Sequence, residues 1–242
     1  MKLILQNLNY YYLTVPKDNN IRKKHISEEF KELNLKEVNP VPASYFDDNK
    51  ELSKHQKTRK SGATGFLKIL DLASQETGNN FQPFVVFEDD VKKYRKFPNF
   101  IEIPDNCDLF YIGLSQWGMT DKKNGINNSV CYYDVDNNNE VIRIFNMLSL
   151  HGLIICSLRG MISFQKCLLE DFYKCQGWDR SICYIQSYLN VYALKEPLVY
   201  QYGKLGGEEL YTKINFEKLK KKSLPEKWKN KTNLSIITLY NK

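Results

Sequence analysis

No two cysteines of this chain form a Cys-x-x-Cys pair, and most of the six lie in apolar stretches. That spacing excludes a zinc-finger framework and argues for reduced, buried thiols over a disulfide scaffold. Long hydrophobic runs are missing too. The opening apolar residues are interrupted by Gln6, Asn7 and Asn9, and no run approaches the length of a membrane span. The N-terminus has none of the basic, apolar and small-residue blocks of a secretory leader. A cytoplasmic, soluble protein is the expectation, in which the acceptor patterns at Asn127 and Asn230 carry no glycan. Internal repeats are absent, and the one low-complexity patch is Asn137-Asn138-Asn139.

What is present is enough apolar material for a core: 42% of residues are hydrophobic and 13% aromatic. The 242 residues suit one large domain or two small ones. Net charge is +7, and 213–242 alone holds nine lysines against two glutamates, which accounts for all of it. The remainder is electrically balanced. Its neutrality speaks against a nucleic-acid surface on the body, although a basic tail could touch an anionic partner or be a solvated end. The expected division is a domain over 1–216 and a lysine-rich tail over 217–242.

The apolar pattern alternates strands with helices. Asn9 to Val15 is rich in β-formers and reads as a first strand, followed by a helix from about Asn20 to Leu33 with Ile21, Ile26, Phe30 and Leu33 on its buried stripe. Leu35 to Val41 reads as a second strand and Ala43 to Lys60 as a loop. Ser61 to Gly65 then opens a helix. Val130 to Val135 and Val141 to Phe145 read as a hairpin, Leu153 to Cys156 as a strand, and Leu158 to about Tyr173 and Gly177 to about Tyr188 as helices. The outline is an α/β fold with a largely parallel sheet, in which ligands gather at the carboxyl ends of the strands.

At the centre stands Phe84-Val85-Val86-Phe87, a run that reads as a strand buried on both faces, followed at once by Glu88, Asp89 and Asp90. Three adjacent carboxylates repel one another unless a cation or strong donors sit among them. Either they form an acidic turn facing water, or they hold a divalent ion together with a phosphate. Arg22 sits in the first turn of a helix, where a cation is unfavourable unless something anionic holds it or water solvates it. The helix start at Ser61, Gly62 and Thr64 offers free N–H groups to an anion, or serves as plain capping and close packing. Asp179 stands where a helix N-cap belongs.

In this order the pieces resemble glycosyltransferase family 25, the group of lipopolysaccharide and procollagen galactosyltransferases, and more narrowly its members from large DNA viruses and phages. The resemblance runs through Tyr11 to Val15 with Arg22, Ser61 to Gly65, Phe84 to Val91, Asp108 to Ser115, Asn146 to Gly152, Trp178-Asp179, Pro197 to Gln201 and Gly206-Gly207-Glu208. It covers most of the chain up to about Phe216. Two family features are replaced: the Asp-Arg-Arg type of turn by Thr14-Val15-Pro16-Lys17, and the Cys-x-x-Ser-His helix start by Ser61 to Gly65.

The resemblance implies a GT-A fold and an inverting transfer of a hexose from a nucleotide diphosphate sugar to a glycan or protein hydroxyl, with Mn²⁺ or Mg²⁺. UDP-galactose is the family's default donor and UDP-glucose the next. It implies Asp90 as the direct metal ligand, with Glu88 on the ion through water or on the donor. Thr14, Val15, Arg22, Ser61, Gly62, Thr64 and Asp89 become donor contacts. Asp179 becomes the base, with Glu208 and Glu209 as substitutes, and His151 a metal or phosphate partner or a structural histidine. Two other functions fit parts of the chain: a sugar-nucleotide pyrophosphorylase, which wants a glycine-rich turn after the first strand, and a binding module acting through the basic tail.

Overall fold

The computed structural model describes residues 1–14, 20–35, 37–77, 80–115, 117–120, 130–135, 138–148 and 150–202. Its elements in chain order begin with β1 (Lys2–Ile4), a 3-10 turn, β2 (Asn9–Thr14), α1 (Asn20–Glu32), β3 (Asn39–Pro42), α2 (Lys54–Thr77) and β4 (Phe84–Glu88). There follow β5 (Val91–Lys93), β6 (Phe100–Glu102), β7 (Leu109–Tyr111), β8 (Cys131–Val135), β9 (Asn138–Phe145) and β10 (Leu153–Ile155). Helices α3 (Leu158–Lys174) and α4 (Trp178–Ile185) and strands β11 (Val191–Leu194) and β12 (Val199–Gln201) close the series.

The main sheet has the order β3-β2-β4-β10-β7-β11-β9-β8. β2 pairs in parallel with β3 and β4, and β7 with β11, while β10 is antiparallel to both its neighbours. Only β10 and β9 run against the other strands of this sheet, so the expectation of an α/β fold with a mixed, mostly parallel sheet holds. Two smaller pairings, β1 with β6 and β5 with β12, flank it.

Alternation along β4 decides what covers each face. Phe84 and Val86 pack with Phe66, Ile69 and Leu70 of α2 and with Phe164 and Leu168 of α3. Val85 and Phe87 pack on the other side with Ile26 and Phe30 of α1. All four side chains are buried, each worth about 1.5–3 kcal/mol of transfer free energy. This is the double burial that the unbroken apolar run predicts.

Several expectations are corrected. α2 begins at Lys54, not at Ser61, because Ser53 and Gln56 form a reciprocal capping box: Gln56 N donates to Ser53 Oγ (3.3 Å) and Ser53 N to Gln56 Oε1 (2.9 Å). Its first turns are polar because their outer side faces water, and this removes the apolar periodicity from 54–60. Ile21 is 71% exposed, and its place on the inner face of α1 is taken by Glu29, which accepts from Lys93 N (2.8 Å). The second strand is confined to β3. The stretch between Pro98 and Pro104 contains β6, paired with β1. The 217–242 tail, Val15 and Glu208 and Glu209 lie outside the described residues, as does the turn on which the pyrophosphorylase reading depends. Among the described residues no helix is long and apolar enough to cross a membrane.

Candidate active site

β2, β4 and β7 all finish at one edge of the sheet, and the antiparallel β10 begins there. Leu13 pairs with Glu88, so Thr14 stands on this edge beside the carboxylates. Asp89 and Asp90 form the turn between β4 and β5, and both are buried.

Each carboxylate meets a different environment. Asp89 is ion-paired with Arg22 from α1, whose Nη1 is also 3.8 Å from Asp90 Oδ2. Asp90 Oδ2 accepts from Gln201 Nε2 (3.1 Å), and the Asp90 carbonyl accepts from Tyr202 N (2.7 Å), which fastens β12 to the turn. Asp90 Oδ1 is buried and has no hydrogen-bond partner among the described residues. Glu88 accepts from the indole of Trp178. Burial is the first cause that holds the Glu88 carboxyl well above the ordinary carboxylate range, and the charges of Asp90 and Asp179 add to it. Burial also raises Asp90, against the lowering effects of Gln201 and Arg22.

Asp179 approaches from α4. The N-cap of this helix is Gly177, at φ 107°, and not Asp179, which lies in the first turn and accepts from Arg180 N (2.8 Å). Gly177 N donates to Asp171 Oδ1 (2.6 Å), and Arg59 Nη1 of α2 donates to the Cys175 carbonyl (2.5 Å), so the α3–α4 connection is held from two sides. A carboxylate at a helix start ordinarily has a lowered pKa. Here burial outweighs the Arg180 N–H and the charge of Arg59, and the Asp179 carboxyl is raised.

Gly62 explains how α4 comes so close. An added Cβ there would lie 2.2 Å from Trp178 Cζ3, so the glycine makes room for the indole that reaches Glu88. Ser61, Gly62 and Thr64 therefore lie inside α2, and the anion-binding helix start expected of them is not there. Thr64 Oγ1 is engaged by the Ser61 carbonyl (2.8 Å) and by Ser44 N (3.3 Å). The edge thus brings together Arg22, Glu88, Asp89, Asp90 and Asp179, with Thr14 beside them and Gly62 behind Trp178.

Sequence reasoning missed Arg59, which lay in a stretch read as loop. Gln201 was part of the recognised pattern but had no role assigned. His151, just before β10, is buried and donates to the Leu114 backbone, and burial lowers its pKa to about 4. Burial favours its neutral form.

Among the described residues no group of three or more His, Cys, Asp or Glu side chains is arranged as a self-sufficient metal site. The residues still fit a divalent ion that arrives with phosphate oxygens. Asp90 supplies a hard oxygen with no hydrogen-bond partner among the described residues, Glu88 immediately precedes the Asp89–Asp90 turn, and burial raises the pKa values of both.

No family model matches the chain, and no curated protein matches it. Solved structures do. The chain is similar to a glycosyltransferase involved in glycosylation of the major capsid of the virus PBCV-1, with 12% identity, TM-score 0.38 and coverage of 68% of this chain and 66% of the other. It spans just under two thirds of that structure's length. It is similar to a CTP:phosphocholine cytidylyltransferase from Streptococcus pneumoniae, with 14% identity, TM-score 0.38 and coverage of 84% and 98%. It is also similar to a nucleoside-diphosphate-sugar pyrophosphorylase from Vibrio cholerae RC9, with 13% identity, TM-score 0.34 and coverage of 81% and 75%. Likeness this weak carries no conclusion about chemistry.

Proposed function

We propose that the protein is a metal-dependent, inverting glycosyltransferase that moves a hexose from a UDP-sugar to a hydroxyl acceptor. The observation that carries this reading is the buried, unpartnered Oδ1 of Asp90 at the exit of the central strand, with Glu88 and Asp179 close by. The order of motifs resembling glycosyltransferase family 25 supports it.

Asp90, with Glu88 behind it, would hold a divalent cation through hard oxygen contacts. Such an ion, when bound, neutralises charge on a departing nucleoside diphosphate. Arg22 keeps Asp89 paired, so that Asp90 offers the free oxygen of the turn. Asp179 takes the proton from the acceptor hydroxyl as the new bond from acceptor oxygen to the sugar's anomeric carbon forms. The bond from that carbon to the diphosphate breaks, and the diphosphate leaves with the electron pair. A raised pKa suits Asp179 to this step, because a base acts best when its pKa lies near the working pH. Trp178 closes the floor between Glu88 and α2.

Calorimetry with UDP-galactose and UDP-glucose, with and without Mn²⁺, tests the proposal. The parent protein binds at least one of them in a Mn²⁺-dependent manner, and Asp90→Asn, folded by circular dichroism, loses that dependence. Equal affinity in parent and variant removes the metal assignment, and no affinity for either donor in the parent removes the reading.

A further inference from the structure

β7 points the same way as β4, with β10 between them, so the residues after β7 leave the sheet on the edge that carries Glu88 to Asp90. They do so two strands further along, away from the β2–β4 half where the carboxylates meet Arg22. Trp117 stands on this segment with 42% of its surface exposed. Exposing so large an apolar ring forfeits burial free energy, and a mobile loop would turn it inward.

This backbone is held in place. Trp117 N donates to Ser115 Oγ (3.0 Å), and its carbonyl accepts from Leu148 N (2.9 Å). Two residues on, the side-chain amide of buried Asn146 bonds both backbone groups of Met119, accepting from its N (3.2 Å) and donating to its carbonyl (3.0 Å). Asn146 is itself in the left-handed region, at φ 57°. The next residue, Met147, is gripped the same way by Gln186: its N donates to Oε1 (2.8 Å) and its carbonyl accepts from Nε2 (2.8 Å). Gln186 is the C-cap of α4, the helix whose first turn holds Asp179. Trp117 and Asp179 are therefore carried by one hydrogen-bonded framework.

We infer that Trp117 is the stacking platform for the acceptor, and that the acceptor is a glycan presenting a hexopyranose ring. This rests on the glycosyl-transfer reading above and narrows its acceptor from a hydroxyl of either a glycan or a protein. A hexopyranose has a face of C–H groups and a rim of hydroxyls. An exposed indole takes the C–H face through dispersion and weak C–H contacts to the ring, and leaves the hydroxyls pointing outward. A fixed backbone removes the ordering cost that a mobile aromatic would incur on binding.

The test uses the full chain, ¹⁵N-labelled and loaded with UDP and Mg²⁺, with the Trp117 indole resonance identified by Trp117→Phe. Methyl β-galactoside, methyl β-glucoside and methyl α-mannoside are titrated in. At least one shifts the Trp117 resonance, and its Kd weakens about tenfold in Trp117→Ala but by no more than about threefold in Trp117→Phe. Equal affinity in Trp117→Ala overturns the inference, as does a Trp117 resonance that none of the three glycosides moves in UDP-loaded protein. Failure of UDP to bind the parent protein is a separate result, and it removes the underlying glycosyl-transfer reading.

Discussion

The guanidinium of Arg22 is ion-paired with Asp89, 67 positions away in the chain, where the central strand leaves the sheet. The pair is nearly buried, with side-chain exposures of 16% and 6%. Arg22→Met leaves Asp89 without this counter-ion and Asp90 without its nearest guanidinium. The expected loss is about 3–5 kcal/mol of unfolding free energy, read by urea denaturation. Mg²⁺ restores part of it if the carboxylates accept an ion in the guanidinium's place, because a ligand of the folded state stabilises by mass action. A variant as stable as the parent would show that the pair does not hold the turn.

Asp179→Asn keeps donor affinity and lowers transfer about 10²–10⁴-fold, the range expected on removing a general base. In the parent the rate rises with pH as the carboxyl loses its proton. Since burial raises that pKa, the rising limb lies above the ordinary carboxylate range. Arg59→Met removes a nearby positive charge that lowers it and moves the limb to higher pH. A pH–rate profile identical to the parent's in Arg59→Met would count against Asp179 as the titrating group.

Gly62→Ala sets two effects against each other. Alanine gains about 1 kcal/mol of helix propensity over glycine in a helix interior. The added methyl, however, falls on the ring of Trp178 at 2.2 Å, and a ring cannot yield as a chain end can. A net loss of about 1–3 kcal/mol is expected in thermal unfolding, with a shift in tryptophan emission. At Gly65 the nearest atom is the flexible tip of Leu13, so Gly65→Ala costs less.

Stability depends on pH through His151. Its folded pKa is depressed to about 4, below the ordinary histidine value, so between about pH 6.5 and 4 the unfolded chain binds a proton that the folded chain refuses. Stability falls as pH drops through that window, by roughly 3 kcal/mol from this group alone. The raised carboxyls of Glu88, Asp90 and Asp179 act with opposite sign, since their folded forms keep protons that the unfolded chain releases as pH rises. The difference between parent and His151→Asn in urea titrations across pH isolates the histidine contribution.

The central strand and its acidic exit were legible because Val85, Val86 and their phenylalanine neighbours leave no polar face, and a buried strand must stop at Glu88. The hairpin of β8 and β9 was legible from its β-branched and aromatic residues. The start of α2 was not, because Lys54 to Lys60 show no apolar stripe, and Ser53 with Gln56 was the signal present. Nor was the state of Asp179, since local sequence suggests a solvated helix start with a lowered pKa, while desolvation in the fold raises it. The partnership of Arg22 with Asp89 depends on where α1 crosses the sheet, and a single chain does not state that distance.

Asn146 and Gln186 hold their neighbours by main-chain atoms alone, so the grip is indifferent to which side chains Met119 and Met147 carry. Such a support lets the residues it presents, Trp117 among them, be exchanged without loosening the scaffold. Variation in what this rim recognises can therefore accumulate at Trp117 while the two amides and the carboxylates behind them stay as they are.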